Sequence, residues 1–179
     1  MGNAFSGRRE QTRTERHLAK IANARTMPVS VATVNFICDG NVGFVVRAMA
    51  CFGATDLHII GAVPSYKDLT SLSGGLNKYI KIHQHHTPSE FVRVTKKDGQ
   101  TIMSVELDER SVPISAVNLK SPATPMVIVL GHETVGVPEE ILHASDIIVH
   151  IPMPGVGFCL NTSQAGNIIL YELAKQLLA

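Results

Sequence analysis

From residue 29 onward the apolar positions fall into two alternating patterns. Short runs rich in Val, Ile and Leu have the length of buried strands: "VSVATVNFI" (29–37), "DLHIIGA" (56–62), "QTIMSVEL" (100–107), "PMVIVLG" (125–131) and "DIIVHIPM" (146–153). A sixth, "KYIKIHQ" (78–84), alternates apolar and polar residues as a strand does. Between them lie segments of helical character. "GFVVRAMACFG" (43–53) is closed by a glycine, and a weaker helix is expected near 66–73. "TPSEFVRVTKKDG" (87–99) has Thr87 at an N-cap position and Pro88 at the first helical position. "PEEILHAS" (138–145) carries acids in its first turn, and residues 161–177 form the last helix. Strands of continuous apolar residues, separated by helices, predict an α/β fold: a mainly parallel sheet covered by helices on both faces.

Length and composition narrow this reading without changing it. A chain of 179 residues suits one domain, and no repeat or low-complexity linker divides it. With 45% hydrophobic and 17% charged residues the composition is that of a soluble globular protein. No apolar run approaches the roughly 20 residues of a membrane span. The N-terminus has no apolar segment behind its arginines, so no signal peptide is expected. The three cysteines (Cys38, Cys51, Cys159) show no CxxC spacing, which favours a reducing compartment. A cytoplasmic protein is expected.

Charge does add something. Residues 1–27 carry Arg8, Arg9, Arg13, Arg16, Lys20 and Arg25 against Glu10 and Glu15, a net +4, while the remainder carries −3. A solvated helix and a basic arm touching a polyanion both fit this pattern. The chain is therefore divided provisionally into an arm, 1–28, helical or partly disordered, and a domain, 29–179. "HQHH" (83–86) invites a metal reading, but no further ligand cluster stands at suitable spacing. These histidines are read as surface residues at a strand end, and no metal is expected.

Ligands of open α/β sheets bind at the carboxyl ends of the strands. Three such ends carry glycine with polar residues: "DGNVG" (39–43), "GHETVG" (131–136) and "PMPGVG" (152–157). None has the spacing of a dinucleotide fingerprint or a P-loop.

Together the three segments resemble the motifs of the SpoU/TrmH-like branch of the SPOUT methyltransferases. "DGNVGFVVRAMACFG" resembles the first, an Asn-x-Gly-x3-Arg pattern ahead of a glycine. "VIVLGHETVGVPEEIL" resembles the second, a strand followed by Gly-x-Glu-x-x-Gly. "IPMPGVGFCLNTSQAGNIILYE" resembles the third, Ile-Pro-Met, glycine, then Leu-Asn-x-Ser-x-Ala opening a helix. The similarity spans roughly residues 29–176, with order and separations in agreement.

The resemblance implies an S-adenosylmethionine-dependent RNA ribose 2′-O-methyltransferase. It also implies a C-terminal deep trefoil knot and a homodimer. The bare backbone near Ile151, Met153, Cys159 and Leu160 would hold the adenosine end of S-adenosylmethionine. Gly131 and Gly136 would let the second loop approach closely, and Val105 would complete the pocket. Arg47 would orient the acceptor nucleotide and stabilise developing oxyanion charge, since a guanidinium holds its proton too firmly to make a ready base. Asn41 would support the loop, and Glu133 would fix Arg47 or the loop backbone. Asn161 and Ser163 would act from the first turn of the last helix, where a capping role serves equally.

One position departs from the family pattern: Cys159 stands where many members have Ser. A thiol is a weaker donor than a hydroxyl, which bears on substrate choice. With little chain before or after the domain for a separate RNA-binding unit, tRNA is expected rather than rRNA. The alternative is a catalytically silent RNA- or cofactor-binding module of the same fold.

Overall fold

A computed structural model describes residues 12–35, 39–119 and 124–178. The end of the expected 29–37 strand with Cys38, the first part of the arm with Arg8 and Arg9, and the loop around Pro122 lie outside the described residues. In chain order the elements are α1 (Arg13–Ala22), β1 (Val29–Val34), α2 (Asp39–Phe52), β2 (Asp56–Ile60), α3 (Tyr66–Ser73), a 3-10 turn (Leu76–Tyr79) and β3 (Lys81–His85). They continue with α4 (Pro88–Lys97), β4 (Thr101–Val105), β5 (Val112–Pro113), a short 3-10 turn (Ile114–Ala116), β6 (Met126–Leu130), α5 (Glu139–Ala144), β7 (Ile147–His150) and α6 (Thr162–Leu177).

The seven strands form one sheet in the order β3-β2-β1-β6-β4-β7-β5, and every pairing is parallel. All six residues of β1 are buried, as are all five of β6 beside it. Side chains of a strand alternate between its faces, and β6 shows how this splits the interior into two layers. Met126, Ile128 and Leu130 pack with Val45 and Met49 of α2 and Ile169 and Leu173 of α6. Val127 and Val129 pack on the opposite side with Phe91 of α4 and Ile141 of α5. The unbroken apolar runs are thus explained by burial on both faces.

Local signals place several boundaries. Thr87 caps α4 through its hydroxyl, which accepts from the Glu90 amide at 3.1 Å, and Pro88 follows where an amide would have no partner. At the N-terminus, Thr12 and Glu15 form a reciprocal capping box that starts α1.

Four expectations need correction. The helix expected at 43–53 begins at Asp39, so Asn41 sits in its first turn rather than in a preceding loop. The strand expected at 78–84 is shifted to Lys81–His85, because residues 76–79 form a 3-10 turn after two glycines of left-handed conformation. A two-residue strand, β5, pairs with β7 inside a region read as loop. The histidines of "HQHH" are not all surface residues. Parallel register sets His83 directly beside His58 of β2, while His85 is buried against Phe91. His58 Nδ1 and His85 Nε2 share a hydrogen bond at 2.9 Å, and Asp56 contacts His83 at 2.8 Å. No group of three or more potential metal ligands exists among the described residues.

Candidate active site

The sheet runs outward from β1 in two directions: β2 and β3 on one side, β6, β4, β7 and β5 on the other. Such a reversal leaves a crevice at the carboxyl edge. Into that edge converge the ends of β4, β6 and β7 and the starts of α2 and α6. Two cavities lie there. One of about 120 Å³ is lined by Val105, His150, Ile151, Met153, Cys159 and Leu160, among others. A second of about 430 Å³ shares Val105, Cys159 and Leu160 with it and adds Gly131, Glu133 and Gly136. All seven residues expected to hold a cofactor therefore line one or both.

Beside them a groove of about 630 Å³ runs between α2 and α6, lined by Asn41, Phe44, Arg47, Asn161, Ser163 and Asn167 among others. Arg47 stands exposed on α2 and forms no ion pair with any described residue. The salt bridge that would make it an ordinary helix-surface arginine is absent among the described residues. Phe44, Ile168 and Tyr171 are also exposed on these two helices, and the Tyr171 ring meets Phe52 edge-on.

Four of the expected site residues are joined by hydrogen bonds whose directions follow from elementary chemistry. A carboxylate only accepts, so the buried Asn41 must present its Nδ2 to Glu133 Oε1, at 2.7 Å. Its Oδ1 is then left to accept from Asn161 Nδ2, at 3.1 Å. That leaves Asn161 Oδ1 for the first turn of α6, where it accepts from the Ser163 amide at 2.9 Å and the Ser163 hydroxyl at 2.6 Å. Asn161 is thus both an N-cap and a member of the network. Thr162 adds a tie from its hydroxyl to the Gly131 carbonyl, at 3.1 Å. Segments from three distant parts of the chain are locked together at the crevice.

The 131–136 loop is a tight hairpin in which His132 and Gly136 exchange both backbone hydrogen bonds at 2.9 Å. A Cβ at Gly131 would collide with the Gly136 backbone across this turn. Gly136 has φ 70°, and a Cβ there would collide with the Glu106 carboxylate. Both positions require glycine on these steric grounds. Glu106 is the residue that the sequence reading missed: it lines both cavities and accepts from the Val137 amide at 2.8 Å. Its signal was present in the sequence, an acid at the carboxyl end of an apolar strand run.

A model of the SpoU rRNA Methylase family matches residues 28–171. The chain belongs to that family. The tRNA (guanosine(18)-2′-O)-methyltransferase of Escherichia coli K12 is 27% identical over 136 residues, covering 76% of this chain and 58% of that enzyme. The chain thus spans less than two thirds of the Escherichia coli relative. The enzyme of the same name from Thermus thermophilus is 28% identical over 174 residues, covering 95% of this chain and 87% of its own. The crystal structure of the TrmH/SpoU tRNA modifying enzyme of A. aeolicus superposes with a TM-score of 0.76 at 27% identity, covering 90% of this chain and 81% of that one. The SpoU-family match takes in all three glycine-bearing segments, so the hydrogen-bonded junction at the crevice lies wholly within it. No helix among the described residues is long and apolar enough to cross a membrane.

Proposed function

We propose that this chain is an S-adenosylmethionine-dependent RNA ribose 2′-O-methyltransferase acting on tRNA. The observation that carries the proposal is the junction itself. In a SpoU-family chain, Asn41, Glu133 and Asn161 tie the starts of α2 and α6 to the 131–136 loop around two cavities and a groove that presents Arg47, which has no ion-pair partner among the described residues. The names of the Escherichia coli and Thermus thermophilus relatives support tRNA as the substrate class.

The cavities suit the cofactor. A neutral purine is best held by main-chain donors and acceptors with apolar walls, and Ile151, Met153 and Leu160 offer both beside Val105. Gly131 and Gly136 let the 131–136 turn close on itself and seat against Glu106 at the edge of the larger cavity. When bound, the sulfonium supplies an already activated methyl group, so the protein's work is to orient the acceptor hydroxyl and help its proton leave. Arg47 is assigned that orienting role: its guanidinium offers a fork of donors to the acceptor's phosphate and to oxyanion charge developing at the ribose. Asn41, Glu133, Asn161 and Ser163 hold α2 and α6 in register on either side of the groove. Cys159 lines both cavities with a thiol where a hydroxyl is usual, a substitution that tunes substrate choice.

The same reading extends to the assembly. The exposed Phe44, Ile168 and Tyr171 support a homodimer built on α2 and α6. The order β1-β6-β4-β7, with Thr162 tied to Gly131, supports a chain threaded after β7 into a deep trefoil knot. Residues 1–28 are assigned as an RNA-touching arm ahead of the 29–179 domain, and the cytoplasm as the compartment. Incubation with labelled S-adenosylmethionine and, separately, unmodified total tRNA and rRNA tests the activity. Label recovered as a 2′-O-methyl nucleotide from tRNA, and lost by at least about a hundredfold in Arg47→Ala with cofactor affinity retained, is the expected result. No label in either pool despite cofactor binding would favour the silent module.

A further inference from the structure

Glu106 sits at the carboxyl end of β4, where both of its carboxylate oxygens accept from main-chain amides. Its Oε1 accepts from the Leu107 amide at 3.0 Å and its Oε2 from the Val137 amide at 2.8 Å. Leu107 follows β4 and Val137 follows the loop after β6, so one side chain latches two strand ends together. Gly136, at φ 70°, turns its bare α-carbon face toward Oε2. The glycine loop is thus shaped around this carboxylate. With Val105, Cys159 and Leu160, Glu106 forms the wall that the two cavities share.

That position carries a consequence that rests on reading the cavities as the cofactor site. A purine seated in the smaller cavity, against main chain near Ile151 and Leu160, leaves the ribose and the sulfur to cross the shared wall toward the larger one. A cationic sulfur held there would lie in the part of the cleft that Glu106 lines. We infer that Glu106 is a specificity-determining carboxylate that favours the cationic sulfonium cofactor over the neutral thioether left after transfer. Methyl transfer would break the sulfur–methyl bond and form the methyl–ribose oxygen bond, the hydroxyl proton passing to solvent water, and would leave the sulfur neutral. The attraction to Glu106 is therefore present before the reaction and gone after it. Within a cleft that partly excludes water such an attraction is screened less than on an open surface, and the two amide donors hold the carboxylate in place. The hold that Glu106 would exert on the cofactor would thus be lost in the event that consumes it.

The test compares dissociation constants measured by calorimetry for S-adenosylmethionine, S-adenosylhomocysteine and sinefungin, in which a carbon-borne ammonium replaces the sulfonium. Glu106→Gln keeps the size and one acceptor but removes the charge. It is expected to weaken both cationic ligands by roughly tenfold relative to the thioether. Glu106→Asp keeps the charge and is expected to retain the preference, and it carries the test should the Gln variant fail to fold. Equal weakening of all three ligands by Gln would overturn the inference, leaving Glu106 as a loop latch only. Unchanged affinities would overturn it too, as would loss of the preference in a folded Asp variant. Wild-type protein that binds none of the three would overturn the cofactor reading, and this inference with it.

Discussion

Asn41 shows how one side chain can serve two partners with no freedom left over. Its amide donates to Glu133 and accepts from Asn161, and it is buried between them. Asn41→Ala removes a donor and an acceptor together, so Glu133 and Asn161 each lose one hydrogen bond, at a cost of about 1–3 kcal/mol. Asn41→Asp is nearly isosteric yet turns a carboxylate toward Glu133, while still accepting from Asn161. Like charges at that separation repel, so Asp is expected to be at least as destabilising as Ala at pH 7 despite its better fit. Urea denaturation of the two variants checks this. An Asp variant as stable as the native protein would mean that the Asn41–Glu133 contact is not what secures the junction. Residue identity here was legible in the sequence through the motif, but pairing was not. Asn41 and Glu133 are 92 positions apart, and nothing in local spacing says which polar groups a fold will bring together.

At the scale of elements, periodicity located most of the strands and helices because burial on both faces leaves uninterrupted apolar runs. It failed where context overrode pattern. "KYIKIHQ" alternates from residue 78, but left-handed Gly74 and Gly75 feed a 3-10 turn that delays β3 to Lys81. The pattern could not show that β3 would lie beside β2 with histidines in register, and this pairing has a measurable effect. Burial, with the His83 and His85 rings adding to it and Asp56 and Asp98 opposing, pushes His58 from 6.5 down to about 4. Burial lowers His85 as well, with Glu90 opposing and His83 adding. A base held neutral in the folded state takes up its proton first in the unfolded chain. Its contribution is therefore fully present above pH 6.5 and is lost as pH falls toward 4. Between pH 7 and pH 5, His58 alone should remove about 2 kcal/mol of stability. His58→Gln keeps a hydrogen-bonding group opposite His85 and removes the titration, so its stability should depend less steeply on pH over that interval. Denaturant midpoints at half-unit pH steps would show it, and parallel curves for the two proteins would sink the assignment.

Across the whole molecule, charge is distributed so that the N-terminal segment and the sheet domain differ in sign. The first 27 residues hold a net +4 and the rest −3. α1 lies with Leu18, Lys20 and Ile21 exposed, and the groove beneath it is lined by Lys20 and Arg25 together with Cys51, Phe52 and Leu178. Hydrophobic patterning decides which segments enter the core, but it does not say whether an amphipathic basic helix outside the core meets water or a polyanion. The salt dependence of RNA binding does distinguish them. Each phosphate neutralised by Lys or Arg releases condensed counterion and adds roughly 0.7–0.9 to the slope of log affinity against log salt. If the arm touches tRNA, deleting residues 1–26 should weaken binding and reduce that slope by about one to three. Replacing Arg16, Lys20 and Arg25 together with Gln should reproduce most of the reduction while leaving the helix intact, because Gln is nearly as good a helix former as either cation. Cofactor affinity should be unaffected by both changes, since none of the lining residues of the two cavities at the carboxyl edge comes from the arm. A lower affinity with an unchanged slope would mean that the arm supports the fold or the dimer rather than the RNA. An unchanged affinity would make it a solvated helix, and RNA recognition would then fall to the groove around Arg47 and to surfaces of the sheet domain.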